Sequence, residues 1–177
     1  MNKPFFLVFA SLLLAACSQT PESADVAGTP VAGPSQNVWS VAQLPSTSLT
    51  AWNTSDEVDV LDLDKPVVIN LWASWCSACA HEMPLIADSE YASHVVAINV
   101  GDLAVSSSGT ASASALVAST HGAFPIYIDA KDTLMKALKV NGLPVTFAVD
   151  KNNTIVDYEF GELTNETLAR LVQASES

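Results

Sequence analysis

Short apolar runs alternate with helix-like segments from Asn37 to the end of the chain. The runs predicted to be strands are Val67–Trp72, His94–Val100, Phe124–Ile128, Val145–Val149 and Thr154–Phe160. The first four are almost continuously apolar, which is typical of strands buried on both faces of a sheet. The fifth follows the turn-prone sequence DKNN at positions 150–153, which predicts a hairpin with the fourth.

The segments between these strands predict helices. They are a helix that begins near Cys76 and runs over Ala80–Tyr91, then Ala111–Thr120, Asp132–Leu138 and Asn165–Ala174. The last follows Thr164, a favoured N-cap residue type, and carries its leucines and valine on one face. This order predicts an α/β fold with a mixed central sheet flanked by helices. Residues 38–63 are predicted to add an N-terminal hairpin or edge strand.

The start of the chain does not follow this alternation. Phe5–Ala16 is an apolar run after a short positive start, which fits a signal peptide and falls short of the roughly 20 residues of a membrane-spanning helix. The run ends in LLLAAC, which resembles a bacterial lipobox, so we predict cleavage before Cys17 and lipidation of its sulfur. The alternative is a plain secretory peptide cut near Ala16, with Cys17 left as a free thiol.

Ser18–Gln36 has no hydrophobic period and contains three prolines and two glycines. Such a segment cannot bury enough apolar surface to offset the entropy lost on ordering. We therefore predict a signal peptide at 1–16, a lipidated flexible tether at 17–36 and one folded domain at 37–177. The predicted location is the periplasmic side of the bacterial envelope, and Ser18 favours the outer over the inner membrane under the enteric sorting rule.

Charge restricts the partners that the domain can have. Lys and Arg number 7 against 19 Asp and Glu, which gives a net charge of −12. A surface this acidic repels phosphate backbones, so we do not expect nucleic-acid binding.

Two of the three cysteines, Cys76 and Cys79, lie where a predicted strand ends and a helix begins. At positions i and i+3 their side chains share one helix face within disulfide reach. Cys76 meets the unpaired N–H groups and the positive end of the helix dipole, which favour its thiolate. We therefore predict a redox couple with Cys76, open to solvent, as the nucleophile. Cys79, one turn further in and better shielded, is the predicted resolving cysteine.

Other uses of the pair are less well supported. Zinc needs four ligands, and only Cys17 and three scattered histidines remain, so we expect no metal and no cofactor beyond the disulfide. Covalent haem attachment needs a His directly after the second Cys, where this chain has Ala80. A purely structural disulfide stays open, although so short a loop constrains the unfolded chain little.

The sequence WASWCSACAHEMP, followed by VNGLPVTFAVDKNNTIV, is similar to the thioredoxin superfamily and within it to the TlpA/ResA-like envelope thiol–disulfide oxidoreductases. The resemblance covers the chain from about Val38 onward and implies a thioredoxin-like fold with an N-terminal β extension. It implies that Trp75, Leu143 and Pro144 bind substrate, and that Pro144 is the proline held in cis beside the disulfide. An ordinary trans proline is the alternative.

The resemblance also places Glu82 close to the two thiols, as a third catalytic residue. A buried Glu82, one helical turn past Cys79, would accept the proton of that thiol or raise the pKa of the thiol by like-charge repulsion. A surface Glu at the start of the helix is the alternative. The chain departs from thioredoxin at Asn70, where thioredoxin has a buried Asp. It also carries Ser77-Ala78 between the cysteines, which leaves the reduction potential open.

Together these features predict an envelope enzyme that reduces protein disulfides, for instance in cytochrome c maturation, and acts as a monomer. The resemblance implies re-reduction by a membrane-embedded thiol electron donor. Two alternatives remain: a disulfide-forming oxidase, and a thioredoxin-like binding module without catalysis.

Overall fold

The fold is described from a computed structural model, which covers residues 42–101 and 107–177. The predicted signal peptide at 1–16, the tether at 17–36, the lipidation site Cys17 and the start of the predicted domain lie outside the described residues.

Eight strands within the described residues form one mixed sheet. In chain order they are β1 Ala42–Gln43, β2 Ser48–Ala51, β3 Glu57–Asp59, β4 Val67–Trp72, β5 Val95–Val100, β6 Ile126–Asp129, β7 Val145–Val149 and β8 Thr154–Phe160. Their spatial order is β1-β8-β7-β4-β5-β6-β2-β3. Strands β4, β5 and β6 run parallel, whereas β7 is antiparallel to β4 and to β8, so the predicted hairpin is confirmed.

The helices are α1 Ser77–Asp88, α2 Ser107–Ser119, α3 Thr133–Ala137 and α4 Asn165–Ser175. Helix α1 ends three residues earlier than predicted, at Asp88 and not at Tyr91, because the backbone is extended at Ser89. A short 3-10 turn follows at Ala92–His94. The predicted N-cap of α4 is confirmed, since the Thr164 hydroxyl accepts from the N–H of Thr167. No helix in the described part of the chain combines the length and the apolarity that crossing a bilayer requires.

The N-terminal region contributes to both edges of the sheet. Strand β1 pairs with β8 at one edge, while the β2–β3 hairpin pairs through β2 with β6 at the other. The prediction of a hairpin or an edge strand was therefore right about both elements, and the α/β class with an N-terminal β extension is confirmed.

The core lies on both faces of this sheet. Every residue of β4 and β5 is buried, as their apolar runs predicted. Ile69 and Leu71 point to the face covered by α3, whereas Val68 and Trp72 point to the face covered by α1 and α4. Burying one such large side chain stabilises the fold by roughly 2 kcal/mol. Asn70 shares the second face, directly under the helix that follows the two cysteines.

Candidate active site

The two cysteines form a disulfide at the beginning of α1. Cys76 is the N-cap residue of that helix, and its Sγ accepts from the backbone N–H of Cys79 at 3.1 Å. The Cα atoms of the pair lie 5.2 Å apart. The predicted pairing and its position at a helix N-terminus are thus confirmed, and the unpaired N–H groups there can stabilise a thiolate on Cys76.

Cys76 is more exposed than Cys79, as predicted, but the difference in exposure is smaller than expected. Cys76 is 6% exposed and Cys79 is fully buried. We expected an open nucleophile; Cys76 instead belongs to the buried cluster that contains Trp72 and Met83. The reason is that, in the disulfide form, its sulfur is bonded to Cys79, which lies on the inner side of the helix.

Trp75 forms the exposed rim beside the disulfide. Its side chain is 58% exposed, while Trp72, three residues earlier, is fully buried in the core. The indole of Trp75 lies over Gly101, where an added Cβ would be 3.5 Å from its Nε1. Gly101 has a φ of +78°, which an L side chain rarely adopts, so glycine here allows both the turn and the close approach of the ring.

The loop before β7 lies at the same end of the sheet. The Leu143–Pro144 peptide bond is cis, as the resemblance implied. Val145 pairs with Leu71 near the end of β4, which places buried Pro144 at the end from which the chain continues to Cys76. Leu143 is partly buried against the cluster that contains both cysteines. The structure therefore brings Trp75, Leu143 and Pro144 to one end of the fold.

Glu82 lies in the core, so the surface alternative is wrong. Its carboxylate is fully buried and accepts two hydrogen bonds, from Asn70 Nδ2 at 2.6 Å and from the backbone N–H of Leu163 at 2.7 Å. Burial raises the pKa of Glu82 to about 7, and the nearby negative charge of Glu162 adds to this, while the two hydrogen bonds oppose it. A carboxyl with that pKa can both take and release a proton near neutral pH.

Asn70 connects this carboxylate to the neighbouring strand. Besides Glu82, its Nδ2 donates to Thr146 Oγ1 at 2.9 Å, and the two residues are direct partners in the β4–β7 pair. The other amide atom, Oδ1, is buried and has no hydrogen-bond partner among the described residues. Both donors of the amide are thus used, and its donor side faces Glu82.

The Redoxin family matches residues 41–174, which is nearly the whole described region. The chain belongs to the Redoxin family. Its fold is thioredoxin-like, as the resemblance implied.

Curated relatives of this Redoxin-family chain include the thiol-disulfide oxidoreductase ResA of Geobacillus kaustophilus (strain HTA426). That protein is 31% identical over 115 residues, which cover 62% of this chain and 63% of the relative. The ResA of Bacillus subtilis (strain 168) is 26% identical over 117 residues, covering 63% of this chain and 62% of the relative. The chain thus spans slightly less than two thirds of the length of these relatives.

A solved structure with the same fold is the thio-disulfide isomerase from Thermus thermophilus. The TM-score is 0.59 at 24% identity, and the match covers 78% of this chain and 98% of the solved one. A match of this identity shows the fold alone.

The structure adds residues to this Redoxin-family site that the sequence did not single out. They are Thr146, Leu163 through its backbone N–H, and Phe160, which is 50% exposed and packs over Gly142. An added Cβ on Gly142 would lie 2.8 Å from Phe160 Cζ, so this close approach needs glycine. The only sequence signal for Phe160 was a large aromatic residue at a strand end followed by glycine.

The histidines take no part in the buried site. His81 has 74% of its side chain exposed, and its Nδ1 lies 3.9 Å from Glu162 Oε2 at the rim. Within residues 42–101 and 107–177, no cluster of three or more His, Cys, Asp or Glu side chains could hold a metal ion.

Proposed function

We propose that this chain is a thiol–disulfide oxidoreductase that reduces protein disulfides in the bacterial cell envelope. The observation that carries the proposal is the Cys76–Cys79 disulfide at the N-terminus of α1, with a buried carboxyl one helical turn beyond it. The similarity to ResA proteins supports the same chemistry.

The reaction begins with both cysteines reduced. The Cys76 thiolate attacks one sulfur of a substrate disulfide, and a mixed disulfide forms as the first substrate thiolate leaves. Cys79 then gives its proton to the Glu82 carboxylate, and its thiolate attacks the sulfur of Cys76. The second substrate thiolate leaves, so two electrons have passed to the substrate and the Cys76–Cys79 disulfide has formed.

Trp75, Leu143 and Pro144 hold the substrate beside Cys76 in this proposal. Support comes from the exposed indole of Trp75 and from the position of Leu143 against the cluster that contains both cysteines. With Glu162 at the rim and a net charge of −12, the site favours neutral or basic segments. Substrates of this kind include cysteine-containing segments of apocytochromes c, which would connect the protein to cytochrome c maturation.

The proposed location rests on the sequence motif that ends at Cys17. LLLAAC supports a lipid on Cys17, and residues 17–36 would tether the domain to the membrane on the periplasmic side, the outer membrane being favoured over the inner. In this setting a monomeric domain would be re-reduced by a membrane-embedded thiol donor. Labelling with a radioactive fatty acid tests the anchor. The Cys17→Ser variant should not be labelled.

Reduction of insulin disulfides by the reduced full-length protein tests the chemistry. Cys76→Ser should abolish turnover, and Cys79→Ser should accumulate a mixed disulfide with the substrate, because the resolving thiol is missing. Cys17→Ser is the matched control: it removes the third cysteine and should leave turnover in solution unchanged. Turnover by Cys76→Ser at the wild-type rate would reject the assignment.

A further inference from the structure

We propose that Asn70 and Thr146 together set the proton affinity of Glu82, and thereby the pH range in which Cys79 is activated. Both are positioning residues, since Asn70 acts on Cys79 through Glu82, and Thr146 acts through Asn70. The inference rests on the proposed function, in which Glu82 accepts the proton of Cys79.

The geometry is a chain of two hydrogen bonds that spans β7, β4 and α1. Thr146 Oγ1 accepts one N–H of Asn70 at 2.9 Å, and Glu82 Oε1 accepts from the same nitrogen at 2.6 Å. All three side chains are fully buried, so bulk water does not compete for their hydrogen bonds. An amide nitrogen has two protons, and this arrangement uses both.

The orientation of the Asn70 amide determines which form of Glu82 it supports. With its donor side toward the carboxylate, the amide stabilises the ionised form; with Oδ1 there instead, it would accept from the protonated form. Thr146 supports the donor orientation by accepting the second N–H. Without that hydroxyl, the second N–H would be buried and unpaired whenever the first faces Glu82, which weakens the orientation that favours ionisation.

The other charged groups around Glu82 do not provide this function. On α1 the two cysteines are joined in the disulfide, and His81 is exposed beside Glu162. From the loop at 161–164, the negative charge of Glu162 favours the protonated form of Glu82. On β8, Asp157 and Glu159 are paired with Arg170 of α4. From β4, Glu82 meets the uncharged amide of Asn70, which in turn binds the uncharged Thr146 of β7. The Asn70 amide is thus the side-chain donor that favours the ionised carboxylate.

The test is a titration of Glu82 in the oxidised protein, followed by NMR of carbon-13-labelled Glu carboxyls. Glu82→Gln assigns the signal. Asn70→Ala should raise the midpoint by about one pH unit, because a hydrogen bond to the charged form is lost. Thr146→Val should raise it by several tenths of a unit, and Thr146→Ser should restore the wild-type midpoint because it keeps the hydroxyl.

Thr120→Val is the matched control. Thr120 is as deeply buried as Thr146, but its hydroxyl donates to the carbonyl of Val117 at the end of α2. Removal of that hydroxyl should leave the Glu82 midpoint unchanged. Thr146→Val and Thr146→Ser change few atoms, so the comparison remains available if Asn70→Ala does not fold.

Two outcomes overturn the inference: an unchanged midpoint in Thr146→Val, or equal shifts in Thr146→Val and Thr146→Ser. A separate measurement tests whether Glu82 is the base. It is the rate at which Cys79 resolves a preformed mixed disulfide. If Glu82→Gln leaves the pH dependence of that rate unchanged, Glu82 is not the base, and the link from Thr146 to Cys79 is also rejected. If the pH dependence of the rate requires Glu82 and shifts in Thr146→Val, the result supports both the base role of Glu82 and its control by Thr146.

Discussion

Glu82→Gln offers a quantitative test of how this fold holds an ionisable group. Burial raises the pKa of Glu82 from an ordinary value of 4.5 to about 7. The native protein therefore binds more protons than the unfolded chain between these two values. Consequently, the contribution of Glu82 to the free energy of unfolding is most favourable below pH 4.5, falls as the pH rises, and is lowest above pH 7.

The size of this effect follows from the same pKa change. The pKa rises by about 2.5 units, and each unit corresponds to about 1.4 kcal/mol, which gives roughly 3 kcal/mol across the pH range. Bulk solvent screens this effect little, since the carboxyl is fully buried. Gln itself adds a penalty, because its NH₂ group must face either Asn70 Nδ2 or the N–H of Leu163. That penalty does not change with pH.

Denaturant unfolding of the oxidised wild type and of Glu82→Gln, measured at a series of pH values, separates the two contributions. From below pH 4.5 to above pH 7, the variant should gain roughly 3 kcal/mol relative to the wild type. Glu90→Gln, which removes an exposed carboxylate from the turn after α1, is the control and should not reproduce this gain. A pH-independent difference between Glu82→Gln and the wild type would refute the raised pKa.

Two further predictions concern the surroundings of the site. Gly142→Ala should lower the free energy of unfolding by about 1 kcal/mol, because its Cβ meets Phe160 Cζ at 2.8 Å. In a thermal unfolding series, the loss should disappear in combination with Phe160→Ala; a persistent loss would point to another cause. Glu162→Gln should lower the pKa of Glu82 by a few tenths of a unit, because burial remains but a nearby negative charge is removed. The carboxyl titration described above measures this change, and an upward shift would contradict it.

Some elements of the fold could be predicted because their signals are local or very strong. The nearly continuous apolar runs of β4 and β7 predicted both strands with their observed bounds. The end of α1 could not be predicted, because the residues up to Tyr91 are compatible with a helix. Only the turn at Ser89, which returns the chain to β5, ends it earlier. The register shift between Ala148 and Val149 in the β7–β8 pair likewise left no signal in the sequence.

The sequence by itself determined the position of the redox pair. Two cysteines three residues apart at a strand–helix junction lie within one turn, so their pairing and the N-cap of α1 depend on local geometry alone. Glu82 was assigned on the resemblance, but its environment was decided by tertiary structure. Leu163, which binds its second oxygen, lies 81 residues further along the chain, and Thr146 reaches Asn70 only through sheet pairing. Burial and long-range hydrogen bonds, which set the pKa of a carboxyl, exist only once these distant segments pack together.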